Sequence, residues 1–198
     1  MTVGILGAGA FGTSLSIALS TPNKKLILWT QNHGTVKSIQ EVRENRLRLP
    51  GYILPEQIIA TNDIAEIKDC SIVLIAVPMQ QLRSLVEMHG SILKGKILVA
   101  CCKGFEVSSG LGPTAILEIA SEKTAVLTGP SFASDLASGF PTALTIASKV
   151  EGLAKYIQKE LGTEILRLYW SNDPIGACLL YTSPSPRDRG CCRFASSG

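Results

Sequence analysis

Three glycines near the start of the chain, Gly7, Gly9 and Gly12, have the spacing that most directly implies chemistry. They stand as Gly-x-Gly-x-x-Gly between a short apolar run, residues 3–6, and an apolar helix-forming segment, residues 13–19. Strand, tight turn and helix in that order make a seat for the pyrophosphate of a dinucleotide. Gly7 permits the turn, Gly9 lets the backbone approach the phosphates without a Cβ, and Gly12 lets helix and strand pack closely. The helix N-terminus adds unpaired N–H groups and a partial positive charge toward the anion.

Other candidate groups follow later apolar runs. After the second run the chain reads Leu28-Trp29-Thr30-Gln31-Asn32-His33. An NAD site usually carries an acid here and an NADP site a cation. Neither is present: Gln31 and Asn32 can hydrogen-bond either ribose form, and Lys24 and Lys25 lie at the wrong end of that strand. His33 has the chemistry to pair a phosphate or simply to stand exposed. The cofactor is therefore NAD or NADP. Val77-Pro78 ends another run, where proline forces a turn. Lys103-Gly104 offers a point charge beside a residue that allows close backbone approach. In Thr128-Gly129-Pro130-Ser131-Phe132-Ala133, Gly129 opens a turn and Ser131 can cap the following helix, leaving N–H groups for an anion; a cap alone explains Ser131, and its combination with Gly129 and Lys103 favours a binding role. Ser131 is not a nucleophile of the Gly-x-Ser-x-Gly type, since that pattern is absent.

The elements that must position these groups alternate along the chain. Strands are expected at residues 3–6, 26–29, 58–61, 71–77, 97–101, 125–128, 143–147 and 164–168. Helices are expected at 13–19, 35–44, 80–87, 113–121, 132–138 and 151–161. The unbroken apolar run Ile72-Val73-Leu74-Ile75-Ala76-Val77 suits a parallel strand covered on both faces. The fold class is therefore α/β, a Rossmann-type doubly wound, mostly parallel sheet with ligands at the carboxyl ends of its strands.

Composition narrows the class. The 198 residues are 45% hydrophobic and 18% charged, as in globular proteins. Two of the three net positive charges come from Arg187, Asp188, Arg189 and Arg193, leaving a near-neutral body with no nucleic-acid footprint. No apolar run reaches the ~18 residues of a membrane span, and the N-terminus lacks the basic region of a signal peptide. Cys70, Cys101 and Cys102 read as buried thiols, no Cys/His ligand spacing appears, no metal is expected, and a reducing cytoplasm fits. From Ala177 the pattern changes to an aperiodic stretch, with Pro184 and Pro186 forbidding a helix interior there and Cys178, Cys191 and Cys192 within it. Residues 1–176 are read as the dinucleotide-binding domain and 177–198 as a tail of non-native character, like a translated adaptor.

Together these motifs resemble the bacterial NAD(P)-dependent glycerol-3-phosphate dehydrogenase family. The matching strings are Gly7-Ala-Gly-Ala-Phe-Gly-Thr13, Leu28-Trp29, Leu49-Pro50, Val77-Pro78, Lys103-Gly104-Phe105-Glu106, Gly129-Pro-Ser-Phe-Ala133, Gly139-x-Pro141-Thr142-Ala143 and Ser171-Asn172-Asp173, in the family's order. The resemblance implies hydride transfer between a nicotinamide and dihydroxyacetone phosphate, giving sn-glycerol 3-phosphate for phospholipid synthesis. It implies that Ala10 and Phe11 line the pyrophosphate turn and that Gln31 faces the adenosine ribose. Lys103 would contact cofactor and substrate, Gly129 and Ser131 the substrate, and Ala133 the nicotinamide half. The family continues past Ile175-Gly176 into a helix bearing its general acid/base lysine and a helical domain. Neither is found in these 198 residues, so the chain as written is expected to be inactive or nearly so. A homo-oligomer is possible for the longer enzyme. The rival readings are another dehydrogenase with a similar first domain, or a non-catalytic dinucleotide-binding module.

Overall fold

The structure, a computed structural model, describes residues 1–180. Ten strands are formed: β1 Thr2–Leu6, β2 Lys25–Trp29, β3 Glu44–Asn45, β4 Leu49–Ile53, β5 Ile58–Thr61, β6 Ile72–Ile75, β7 Ile97–Ala100, β8 Thr124–Thr128, β9 Thr142–Ala147 and β10 Leu166–Ser171. The α-helices are α1 Ala10–Leu19, α2 His33–Val42, α3 Met79–Leu93, α4 Pro113–Leu117, α5 Ala133–Ala137, α6 Leu153–Leu161 and α7 Pro174–Leu180, with a 3-10 helix over Ile64–Asp69.

Eight strands make one sheet in the order β10-β9-β8-β7-β6-β1-β2-β5. From β5 to β8 every neighbour is parallel. The order reverses at β1, with β2 on one side and β6 on the other, which opens a crevice at the carboxyl ends. Side chains from alternate strand positions feed two cores. Val3, Ile5, Leu26, Leu28 and Leu74 pack with α1, α2, α5 and α6 on one face. Leu6, Ile27, Val73, Ile75 and Leu98 pack with α3, α4 and Ala177 of α7 on the other. All four residues of β6 are buried, which is why that run shows no polar alternation.

The sheet is mostly parallel, as read from the sequence, with one reversal: β9 runs antiparallel to β8. The connecting helix α5 has five residues, a rise of about 7.5 Å. A helix that short cannot carry the chain back along β8, so β9 starts where β8 ends. The nine-residue α6 can make the return, and β10 is parallel to β9.

Several boundaries differ from the sequence reading. The helix expected over 35–44 stops at Val42, because Arg43 takes a left-handed conformation (φ 55°). Its guanidinium holds that turn by donating to the carbonyls of Leu54, Pro55 and Ile58. Glu44 then opens β3, which pairs with β4 in a small antiparallel flap that the sequence did not announce. Helix α3 runs on to Leu93, α4 stops at Leu117, and β10 starts at Leu166. The boundary expected at 176 falls inside α7, whose Ala177 and Cys178 are buried. The remaining tail features, including Pro184, Pro186, Cys191 and Cys192, lie outside the described residues.

Candidate functional site

Two connected chambers occupy the carboxyl edge of the sheet, about 800 Å³ over β2 and about 430 Å³ over β8. Both are bordered by Gly9, Ala10, Ala76, Val77 and Pro78, so the glycine turn and the β6–α3 turn form the waist between them. Their combined span, from Gln31 to Ser131, suits an elongated ligand lying across the strand-order reversal.

The glycine turn divides its labour. Gly7 has φ 111°, and a Cβ there would stand 2.6 Å from the Ala76 carbonyl oxygen. A Cβ on Gly12 would stand 1.9 Å from the Gly7 carbonyl oxygen. These two glycines serve the protein's own close packing. Gly9 is different: its backbone is extended (φ −69°, ψ 179°) and a Cβ would meet nothing within 4 Å. The space above it is open chamber. Gly9 also caps α1 without a side-chain hydrogen bond, and the first helical N–H to be paired is that of Thr13, with the Gly9 carbonyl. The N–H groups of Ala10, Phe11 and Gly12 are thus available to an anion. This cradle fits a dinucleotide pyrophosphate.

A buried side chain that sequence reasoning missed braces the cradle. Asn45, fully buried, donates from Nδ2 to the Ala8 carbonyl (2.9 Å) and to Thr13 Oγ1 (2.8 Å), while its Oδ1 accepts from the N–H of Arg48 (3.3 Å). The flap is thereby fastened to the glycine turn. The only local hint was Leu49-Pro50, since a two-residue strand leaves no periodicity to read.

In the wide chamber Gln31 and Asn32 stand exposed at the end of β2. Asn32 caps α2, its Oδ1 accepting from the N–H of Thr35 at 2.9 Å. His33 is turned to Asn62, Nε2 to Nδ2 3.2 Å, and does not line the chamber. Arg48 does line it, brought in by the flap.

The narrow chamber gathers Phe11, Cys101, Lys103, Thr128, Gly129 and Ser131. Lys103 Nζ reaches the Gly129 carbonyl at 3.4 Å, so the two sequence motifs meet in space. Thr128 Oγ1 and Ser131 Oγ are buried without a hydrogen-bond partner. Ser131 does not cap α5, a correction to the sequence reading: the helix starts at Ala133 with Phe132 as its cap residue, one position later than that role requires. Orphaned hydroxyls beside a lysine suit an oxygen-rich ligand, because unpaired buried polar groups are costly. Thr128, a hydroxyl closing an apolar strand, was the visible but unassigned signal. Ala133 heads α5, just outside the lining of either chamber.

The lysine loop is pinned from α3. Arg83 pairs bidentately with Glu106, whose side chain is 5% exposed, at 2.7–3.0 Å. Ser109 donates to the same carboxylate, and Gln80 spans the Phe105 carbonyl and the Val107 N–H. The Arg83 and Ser109 hydrogen bonds hold the Glu106 carboxyl below the usual carboxylate range. Burial pushes the Cys102 thiol up to about 12 and the Cys101 thiol upward as well, so neither supplies a thiolate. Cys178 Sγ of α7 lies 3.8 Å from the Gly104 carbonyl oxygen. Among the described residues no cluster of His, Cys, Asp and Glu is placed to hold a metal, and no helix is long and apolar enough to cross a membrane.

Residues 2–154 match the family described as NAD-dependent glycerol-3-phosphate dehydrogenase N-terminus. The chain is 46% identical over 179 residues to a glycerol-3-phosphate dehydrogenase [NAD(P)+] of Ruegeria sp. (strain TM1040), covering 89% of this chain and 56% of that protein. A protein of the same name from Roseobacter denitrificans is 46% identical over 183 residues, at 90% and 56% coverage. The solved glycerol-3-phosphate dehydrogenase of Coxiella burnetii superposes with a TM-score of 0.81 at 28% identity, covering 88% of this chain and 55% of that one. The chain thus spans little more than half the length of the relatives it matches. It belongs to the family of NAD-dependent glycerol-3-phosphate dehydrogenase N-terminal domains.

Proposed function

We propose that this chain is the cofactor-holding part of an NAD(P)-dependent glycerol-3-phosphate dehydrogenase. It would interconvert dihydroxyacetone phosphate and sn-glycerol 3-phosphate in the cytoplasm and feed glycerophospholipid synthesis. Residues 1–176 are the dinucleotide-binding unit, and a homo-oligomer is proposed for the longer enzyme. The observation that carries the reading is the open space above Gly9, continuous with a chamber holding Lys103 and two orphaned hydroxyls.

The turn shaped by Gly7 and Gly12 presents Gly9, Ala10 and Phe11 to the pyrophosphate, Gln31 meets the adenosine ribose, and Lys103, with Ala133 beyond it at the head of α5, borders the nicotinamide half. A bound nicotinamide supplies or accepts the hydride. A ketone that takes up hydride develops alkoxide charge, which a placed donor must stabilise. Lys103 offers its ammonium to that oxygen or to the substrate phosphate, with Gly129, Ser131 and Thr128 on the facing wall. The acid/base lysine implied by the family resemblance belongs to a segment beyond residue 176. We therefore expect the 198 residues to bind dinucleotide while turning over little dihydroxyacetone phosphate.

Titration of the chain with NADH and NADPH, followed by addition of dihydroxyacetone phosphate while absorbance of the reduced nicotinamide is recorded, tests both parts. Saturable binding with negligible turnover is expected. Failure to bind either dinucleotide overturns the reading, and ordinary enzymatic turnover overturns the expected inactivity.

A further inference from the structure

The wide chamber contains a charge that the glycine motif does not explain. Among the described residues that line it, Arg48 is the one charged side chain, and no carboxylate faces the chamber. Resting on the dinucleotide reading above, we propose that Arg48 recognises a 2′-phosphate on the adenosine ribose and gives this chain a preference for NADP(H) over NAD(H).

Three observations converge. First, the position after β2 carries Gln31 and Asn32 instead of an acid, so nothing there would repel a phosphate. Asn32 already spends its Oδ1 on capping α2, and His33 is turned to Asn62. A cation must therefore come from another element, and the flap supplies one. Second, the other arginines of the flap are engaged. Arg43 is bound to three backbone carbonyls, and Arg46 pairs with Glu44 at 3.3 Å. The exposed guanidinium of Arg48 makes no hydrogen bond or ion pair with any described residue. Third, the Arg48 backbone is fixed. Its N–H donates to both the carbonyl and Oδ1 of Asn45, which is itself bonded to Ala8 in the glycine turn. The Arg48 backbone is thus tied to the pyrophosphate seat by a short hydrogen-bonded path, and its uncommitted side chain is left to meet a ligand in the chamber. A planar, permanently charged fork on that chamber wall suits a phosphate dianion better than a ribose hydroxyl.

The test is a titration of the 198-residue chain with NADPH, NADH, 2′,5′-ADP and 5′-AMP, for the unaltered protein and for Arg48→Ala, Arg48→Gln and Arg48→Glu. Melting curves verify the fold of each, since the changed side chain is exposed. The unaltered chain is expected to bind NADPH and 2′,5′-ADP about tenfold or more tightly than their unphosphorylated partners. Arg48→Ala and Arg48→Gln should erase that difference while leaving NADH affinity within about twofold, and Arg48→Glu should invert it. Raising the salt concentration should weaken NADPH more than NADH. Equal binding of NADPH and NADH by the unaltered chain, or equal weakening of both in Arg48→Ala, overturns the proposal and leaves the dinucleotide reading intact. Failure to bind any dinucleotide overturns both.

Discussion

Gly9 and Gly12 lie three residues apart in one motif, yet the structure separates what each is for. Consider Gly9→Ala. The new methyl group meets no protein atom within 4 Å, and the backbone at φ −69°, ψ 179° is open to any residue. Removing a glycine from the unfolded chain stabilises the fold by about 0.4–1 kcal/mol. Alanine is a poorer helix cap than glycine, by roughly 0.5–1 kcal/mol. The two nearly cancel, so the melting temperature should stay within about 3 °C of the unaltered chain. Binding should not stay put. The methyl group projects into the space the pyrophosphate must enter, and loss of one charge-assisted hydrogen bond, about 1.5–3 kcal/mol, weakens binding about ten- to hundredfold. Gly12→Ala behaves in the opposite way. Its methyl group would lie 1.9 Å from a backbone oxygen, a clash no rotamer relieves, and the cost should exceed about 3 kcal/mol of stability. Thermal melts and dinucleotide titrations of both variants make the comparison. A Gly9→Ala protein that binds NADH and NADPH as well as the unaltered chain, or that melts far lower, would refute the assignment of that space to a ligand.

Asn45→Ala removes two donated bonds and strands the Ala8 carbonyl and Thr13 Oγ1, while the Arg48 N–H keeps the backbone carbonyl of residue 45. A loss of about 2–3 kcal/mol is expected, seen as a fall of roughly 5–10 °C in melting temperature. Glu106 titrates below its ordinary value in the folded chain. Its stabilising contribution is complete above the unfolded carboxylate pKa, about 4.3, and is lost as pH falls through the depressed native value. A pH series of melts should accordingly show Glu106→Gln losing less stability on acidification than the unaltered chain; parallel curves would contradict this. With its pKa raised to about 12, Cys102 holds only ~1 part in 10,000 thiolate at pH 8. Iodoacetamide should modify Cys101 and Cys102 only after denaturation, and rapid labelling of the native chain, read by mass spectrometry, would count against their burial.

The parallel core was legible because burial on both faces leaves an unbroken apolar run, as in Ile72-Val73-Leu74-Ile75, and because Gly7-x-Gly9-x-x-Gly12 joins a strand to a helix. Helix ends were less legible. Arg43 ends α2 by adopting φ 55°, a conformation paid for by carbonyls eleven to fifteen residues away, which no local pattern contains. The flap was invisible for a related reason: two-residue β3 and proline-bearing β4 have neither length nor alternation. Asn45 and Arg48 went unseen with it. Ser131 was given a capping role, since a serine near a helix start has the same local sequence whether it caps or stands one residue outside. Lys103 and Gly129 were each ambiguous alone; their meeting at 3.4 Å is a property of the sheet order.

The reversal of β9 has a consequence for where the chain is delivered. Because β9 and β10 run against the other strands, β10 finishes at the edge remote from the chambers. Helix α7 then acts as a return path, travelling back under β8 and β9 until Cys178 rests beside the Gly104 carbonyl. Had β9 been parallel, β10 would have ended at the chamber edge and α7 would have led away from it. The odd antiparallel strand therefore works as a switchback: it brings the last described helix to the rim that holds Lys103.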